Sequence, residues 1–331
     1  MNKQTLMITL KRVKEICSQF GSKRVLVFGD VILDRYIFGN VNRISPEAPV
    51  PVLKVEKEEY RAGGAGNVAS NIDKLGSCGV LMGITGDDSF ADVLLEHKKT
   101  NRTLFKSPEN QTLVKTRVIA QRQQIVRIDR EELIRVNTGL EESIMKQIES
   151  FSIGDIHGII VSDYAKGTLT PGIMKSLKQK ALELNIPVIV DPKPANFHLY
   201  KNIDGITPNR SEAEAMSNRK IECDADASEA SKIIRTKCNA RFSIVTRGDK
   251  GITAVEQGKK AFHFPAFNHE VYDVTGAGDT VAAVLVLSLI SGATLREAVE
   301  LSNVAASIVV ERIGASQITQ EELIEQAKNL Y

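Results

Sequence analysis

Short, continuous apolar runs recur along this chain, and they constrain its fold more than any other feature. They are RVLVFGD (24–30), GVLMGI (79–84), HGIIVSD (157–163), PVIVD (187–191), IDGITPN (203–209) and FSIVTRG (242–248). Between several of them lie helical patterns, such as GIMKSLKQKALELN (172–185) and ASEASKIIRTKCN (227–239). A strand that is apolar on both faces must be covered on both faces. Alternation with helices therefore predicts an α/β fold, a mostly parallel sheet with helices on each side. Two segments break this texture, VNRISPEAPVPVLKVEKEEYR (41–61) and QTLVKTRVIAQRQQIVRID (111–129). They alternate loosely and carry charge, and the first holds three prolines. They predict strands of a small, half-exposed sheet, inserted at about 36–62 and 111–130.

Polar residues close most of the apolar runs: Asp30, Asp163, Asp191, Asn209 and Arg247-Gly248. Any one of them reads equally as a turn or a helix cap. Five in one chain favour a shared ligand crevice, because open α/β sheets bind ligands along the carboxyl edge of their strands. Charge narrows the class of ligand. Lys and Arg number 43 against 41 Asp and Glu, a near balance that argues against a nucleic-acid grip. The apolar stretch Val281 to Ile290 suits a buried helix and is too short to cross a bilayer. The first twenty residues mix charge into a helical pattern and show no signal h-region. Cys17, Cys78, Cys223 and Cys238 are scattered without a CxxC pair, and they read as reduced thiols of a cytoplasmic protein.

Two glycine-rich helix starts carry the chemistry. AGGAGNVASNIDKLG (62–76) fits a loose dinucleotide fingerprint at Gly64, Gly66 and Asn67, but the charged LKVEKEEYR before it is not the buried parallel strand that fingerprint needs. The better reading is a helix start where backbone approaches a polar ligand. Asn67 then serves either as a ligand contact or as a cap. DVTGAGDT (273–280) opens the apolar helix, and no GxxxxGK[ST] motif occurs. Gly276, Ala277 and Gly278 can present consecutive N–H groups at a helix N-terminus, an anion site reinforced by the helix dipole. A carboxylate beside that hole repels phosphate, so Asp279 needs a reason to be there. It has one as a general base for an attacking hydroxyl. The alternative is that Asp279 only stabilises the helix N-terminus.

Taken together, DVTGAGDT ahead of an apolar helix and GGAGNVASNIDKLG resemble the two signatures of the ribokinase-like (PfkB) carbohydrate kinases. The resemblance covers nearly the whole chain. It implies a single domain over 1–331, with a central, mostly parallel sheet between helices and the inserted sheet as a lid. It implies Asp279 as the base and Gly276, Ala277 and Gly278 as the anion hole. Asn209-Arg210-Ser211-Glu212 matches the family's N-x-x-E, implied to arrange Mg²⁺ and the ATP phosphates through water. TRGDKG (246–251) resembles its nucleotide loop, with Thr246, Gly248 and Gly251 near those phosphates. Asp30, Gly64 and Asn67 are implied to hold sugar hydroxyls. The resemblance also implies a homodimer through the lid sheet, and it leaves K⁺ open as a further ion near Asp273.

GDVILDRYIFGNVNRISPEAPVPVLKVE, TRVIAQRQQIVRID, VSDYAKG, VDPK and EVYDVTGAGDT are further similar to the D-glycero-β-D-manno-heptose-7-phosphate kinases. That narrower resemblance implies phosphorylation of a sugar phosphate at its anomeric hydroxyl, on the route to ADP-heptose and the lipopolysaccharide core. No HxGH-type nucleotidyltransferase motif is present, so the chain resembles the stand-alone kinase. A substrate phosphate needs a cationic seat, and the candidates are Arg117, Arg122, Arg127, Lys166 and Lys193. Arg122 falls on the opposite strand face from the two odd-numbered arginines. Two other readings stay open: another sugar kinase of the same fold, and a non-catalytic sugar or nucleotide sensor.

Overall fold

A computed structural model describes residues 7–96, 101–121, 123–267, 273–312, 314 and 316–330. Arg122 and residues 270–272 of EVYDVTGAGDT lie outside the described residues.

Helix α1 (Leu10–Ser18) leads into β1 (Arg24–Gly29). A single residue, Asp30, separates β1 from β2 (Val31–Ile44), which turns back as β3 (Pro51–Gly64). Then come α2 (Ala65–Lys74), β4 (Cys78–Gly86), α3 (Ser89–Glu96), β5 (Asn101–Ser107), β6 (Leu113–Ala120) and β7 (Gln123–Arg130). The middle of the chain alternates as α4 (Thr138–Glu149), β8 (Gly158–Ser162), α5 (Pro171–Leu184), β9 (Val188–Asp191), β10 (Gly205–Ile206), α6 (Arg210–Ser217) and α7 (Asp224–Cys238). β11 (Phe242–Thr246), β12 (Ile252–Glu256) and β13 (Phe262–Phe264) precede α8 (Ala277–Ile290), α9 (Leu295–Val309) and α10 (Gln320–Asn329).

Among the described residues the main sheet has the order β13-β12-β11-β10-β9-β8-β1-β4-β5. From β11 to β5 every neighbouring pair is parallel. β12 and β13 return antiparallel at one edge. The apolar runs are continuous because the sheet is covered twice. Val25 and Val27 of β1 enter a core shared with α1, α2, α8, α9 and α10. Leu26 and Phe28 enter a second core, shared with α4, α5, α6 and α7. Helix α8 is buried from Asp279 to Ser288, which explains an apolar sequence without a polar face.

A second sheet has the order β3-β2-β6-β7. It holds both segments expected to be inserted strands, but β2 begins at Val31 rather than near 36. The chain passes from one sheet to the other across Asp30, so no loop marks the change. Sequence reading also left β5, β12 and β13 unassigned. β5 is a mixed edge strand, β13 a three-residue edge strand, and β12, between β11 and β13, is a five-residue strand with Thr253 inside it. The strand before the GGAGN turn is β3, antiparallel to β2, which removes the dinucleotide reading of that turn.

Candidate active site

Parallel strands that neighbour one another bring their carboxyl ends into a row. Along that row lie Thr246 at the end of β11, Asn209 after β10, Asp191 at the end of β9, Asp163 and Tyr164 after β8, and Asp30 after β1. Helix α8 crosses the sheet here, packed on α2 and against β8 and β9. Its first turn places Asp279 over the middle of the row.

Gly276 caps α8 in the left-handed region, at φ 79°, where a side chain is strained. The N–H groups of Gly278 and Asp279 have no backbone acceptor among the described residues. A Cβ built on Gly278 would meet nothing within 4 Å, so this face opens to space. These are orphan donors of a helix N-terminus aimed where an anion is favoured. Ala277 donates back to Val274 O (3.2 Å) and so contributes least.

Asp279 is only 4% exposed. Its Oδ2 accepts from Asn67 Nδ2 (2.6 Å) and its Oδ1 accepts from Tyr164 Oη (3.0 Å). Burial pushes its carboxyl up to about 6, against the lowering effect of those two donors, and the charge of Asp34 adds to the rise. That value sits close to neutrality, where a general base works best. One turn along, Asn71 Nδ2 donates to Asn67 O (3.0 Å), and Thr280 Oγ1 donates to Asn71 Oδ1 (3.1 Å). The two glycine-rich helix starts therefore meet in a buried polar seam. Gly64, at φ 57°, caps α2, and a Cβ there would collide with the carbonyl oxygen of Asp30.

The other expected residues divide into groups. Asn209 and Glu212 form a capping box at α6, in which Asn209 Oδ1 accepts from Glu212 N (3.0 Å) and Glu212 Oε2 from Asn209 N (2.9 Å). Ser211 Oγ donates to Asn209 Oδ1 (2.8 Å), while Arg210 reaches Glu214 (3.4 Å) on the surface. Lys193 pairs with Glu212 Oε1. Burial would lower its amine, but the Glu212 pairing outweighs that and holds it above the ordinary value. Lys193 thus sits at the β9–β10 end of the row, beside the residues expected to face the nucleotide. Thr246 N donates to Pro208 O (3.0 Å) next to Asn209. Gly248 and Gly251 bracket the following turn, where Arg247 N donates to Gly251 O (2.8 Å).

At the β8–β1 end, Asp30 is 1% exposed and its carboxylate is committed to the backbone. Oδ2 accepts from Tyr164 N (2.8 Å) and Lys166 N (3.1 Å), and Oδ1 from Thr168 N (3.2 Å). These bonds anchor the turn after β8 and leave one acceptor direction of the carboxylate open. Lys166 Nζ pairs with Glu131 (2.7 Å). Arg117 and Arg127 lie directly opposite on β6 and β7. Arg117 pairs with Asp34 on β2, while Arg127 is exposed beside Asp129 (2.9 Å). The structure thus brings Asn67, Gly276, Gly278 and Asp279 together, ranks Asn209, Glu212, Lys193 and Thr246 beside them, and leaves Arg127 out on the second sheet.

Two site residues, Tyr164 and Asp34, escaped the sequence reading, whereas Asp191 was already named at a strand end. Tyr164 donates to Asp279, and its only signal was the quoted VSDYAKG. Asp34 is a carboxylate inside an apolar strand start, VILDRY, buried and paired with Arg117. Asp191 is pushed well above the usual carboxylate range by burial, then by the charges of Glu212 and Asp279.

A family profile described as pfkB family carbohydrate kinase matches residues 22–322. The chain belongs to that family. The family's members are carbohydrate kinases. The bifunctional protein HldE of Actinobacillus succinogenes is 41% identical over 309 residues, which are 92% of this chain and 64% of that protein. The chain thus spans a little under two-thirds of that relative. Phosphofructokinase-2 from Escherichia coli, solved with substrates and products, superposes with a TM-score of 0.76 at 20% identity, over 93% of this chain and 99% of that one. Ribokinase from Arabidopsis thaliana, complexed with ribose and ATP, gives 0.70 at 19%, over 92% and 98%. Both likenesses establish the ribokinase-like fold. Among the described residues no helix is long and apolar enough to cross a membrane.

Proposed function

We propose that this pfkB kinase transfers the γ-phosphoryl of ATP to the anomeric C1 hydroxyl of D-glycero-β-D-manno-heptose 7-phosphate, giving the 1,7-bisphosphate for ADP-heptose and lipopolysaccharide core synthesis. The observation that carries the chemistry is a buried carboxylate, Asp279, poised near neutrality beside unpaired N–H groups at the start of α8. The acceptor rests on the motif resemblance and on the 41% identity with HldE.

Asp279 takes the hydroxyl proton as the sugar oxygen bonds to the γ-phosphorus. The bond to the β–γ bridging oxygen breaks, and ADP leaves. Charge on the moving group's oxygens meets the unpaired N–H groups of Gly278 and Asp279, which the left-handed Gly276 turns toward it. Thr246, Gly248 and Gly251 border the nucleotide end. Mg²⁺, when bound with ATP, supplies charge neutralisation there. The residues suit it. Asp191, Glu212 and Asp279 lie around Lys193, and burial, then the charges of Glu212 and Asp279, raise the Asp191 carboxyl. No three-residue His, Cys, Asp or Glu cage exists among the described residues, so Glu212 and Asn209 would hold the ion through water. K⁺ belongs to the same reading at Asp273. Burial alone would raise that carboxyl, but Thr275 and Gly314 hold it below the ordinary value and keep it charged.

The sugar end belongs to the β8–β1 side, with Gly64, Asn67 and Asp34 near the base and Lys166 and Arg117 as the cations that can face a 7-phosphate. A homodimer through the second sheet completes the reading, supported by exposed Val50, Val55, Ile125, Val126 and Ile128. The test is ADP release over heptose 7-phosphate, unphosphorylated heptose, fructose 6-phosphate and ribose. Heptose 7-phosphate should lead in kcat/KM by at least about tenfold. Preference for an unphosphorylated sugar would overturn the acceptor. No ADP release with any of the four would overturn the kinase reading as stated.

A further inference from the structure

We propose that Tyr164 is the positioning residue of the catalytic base, its phenol holding one carboxylate oxygen of Asp279 and so aiming the other at the acceptor hydroxyl. The inference rests on the role given to Asp279 above. Nothing in the glycine-rich signatures calls for a tyrosine here; the geometry does.

The turn that carries Tyr164 is fixed from several sides. Asp30 accepts from the N–H groups of Tyr164, Lys166 and Thr168. Asp163 Oδ1 accepts from Ala165 N (2.6 Å), and Ala165 sits in the left-handed region at φ 56°. A non-glycine residue persists there only when its surroundings over-determine it. Asp163 Oδ2 accepts from Tyr200 Oη (2.5 Å) and Asn196 Nδ2 (2.8 Å). Ile134 N donates to Lys166 O (2.7 Å), tying the turn to the chain leaving the second sheet. Lys193 Nζ stands 5.3 Å from the centre of the Tyr164 ring. The phenol therefore has little freedom, and it ends 3.0 Å from Asp279 Oδ1.

Each oxygen of Asp279 accepts one donor, Asn67 on one side and Tyr164 on the other. Each keeps a second lone-pair direction. The charged groups that face this pair are Asp34 from β2, Asp191 from the end of β9 and Lys193 beyond it, which itself pairs with Glu212. Burial, then the charges of Asp279 and Asp191, push the phenol well above its ordinary range. Tyr164 is thus a permanent donor that keeps its proton throughout; the proton from the sugar goes to Asp279. A donor to a carboxylate favours the ionised form, so Tyr164 both aims the base and holds its pKa down.

The test is the pH profile of ADP release for Tyr164→Phe. Losing the phenol should move the acid limb of kcat up by about one pH unit and lower kcat near pH 6 about fivefold, with KM for sugar and ATP within about twofold. Titration of ATP itself is common to both proteins and cancels. A structural role alone would lower the active fraction and leave the limb in place. Replacement of all six tyrosines by 3-fluorotyrosine is nearly isosteric and folds if Tyr164→Phe does not. Its stronger donor should move the limb down. Coincident acid limbs in parent and variants would overturn the proposal. Asp279→Asn separates the two ideas. If it is inactive while the Tyr164→Phe limb is unmoved, only the tyrosine inference fails. If it turns over normally, the base assignment fails first.

Discussion

Asn67 Nδ2 donates a 2.6 Å hydrogen bond to Asp279 Oδ2, joining two helix starts that lie 212 residues apart in the chain. The bond makes the α2–α8 contact part of the site. Asn67→Ala removes a donor that lowers the pKa of the base and leaves a buried acceptor half-satisfied. We expect kcat to fall about tenfold or more while KM for ATP stays within about twofold. Equal loss in both parameters, measured by steady-state kinetics, would reduce the bond to a packing contact.

Asp279 should cost the enzyme stability. Its carboxyl is raised from 3.8 to about 6 by burial, so ionisation disfavours the folded state. The stabilising, protonated condition is complete below the unfolded value and is lost as pH rises through the folded one. Asp279→Asn removes the penalty. It should stabilise the protein by up to about 3 kcal/mol at pH 8, with the gain vanishing near pH 4. Urea unfolding at both pH values reads the difference; a gain independent of pH contradicts it.

Lys193 and Lys166 should separate by substrate. Lys193 is paired with Glu212 at the nucleotide end, so Lys193→Ala should weaken ATP use about tenfold whichever sugar is offered. Lys166 lies on the turn held by Asp30, on the β1 side. Lys166→Ala should raise KM for the phosphorylated sugar about tenfold and leave the unphosphorylated sugar nearly unchanged. If both mutants lose both sugars equally, neither lysine seats the substrate phosphate.

The second sheet offers a test of assembly. Every residue of β7 is exposed, and Ile128 is 56% exposed. An exposed edge strand that carries Ile125, Val126 and Ile128 invites pairing with another copy. Ile128→Lys should shift sedimentation from dimer to monomer with the far-ultraviolet spectrum unchanged. A parent that sediments as a monomer at micromolar concentration contradicts the dimer.

What the sequence showed follows from what each residue must do locally. Continuous apolar runs announced β1, β4, β8, β9 and β11, because a doubly covered strand has no polar face. β5 carried no such mark, since an edge strand tolerates charge, and β12 is only five residues long with Thr253 inside it. The start of β2 was hidden because Val31 continues an apolar run across Asp30. In the site, Asp279, Gly278 and Asn67 were legible because helix starts impose glycine and a polar first turn. Tyr164 was not, since its phenol meets Asp279 across 115 residues and no periodicity records that. Asp30 shows the same limit. Nothing in a polar residue after a strand tells that its carboxylate also accepts from three backbone N–H groups.

The most direct test of the account is kcat for Asp279→Asn, measured as ADP release with heptose 7-phosphate at saturating ATP. Only proton removal is lost, so binding of ATP and sugar should persist while kcat falls by about two orders of magnitude or more. Near-parent turnover in a folded Asp279→Asn protein would contradict the account and leave Asp279 as a residue that merely stabilises the start of α8.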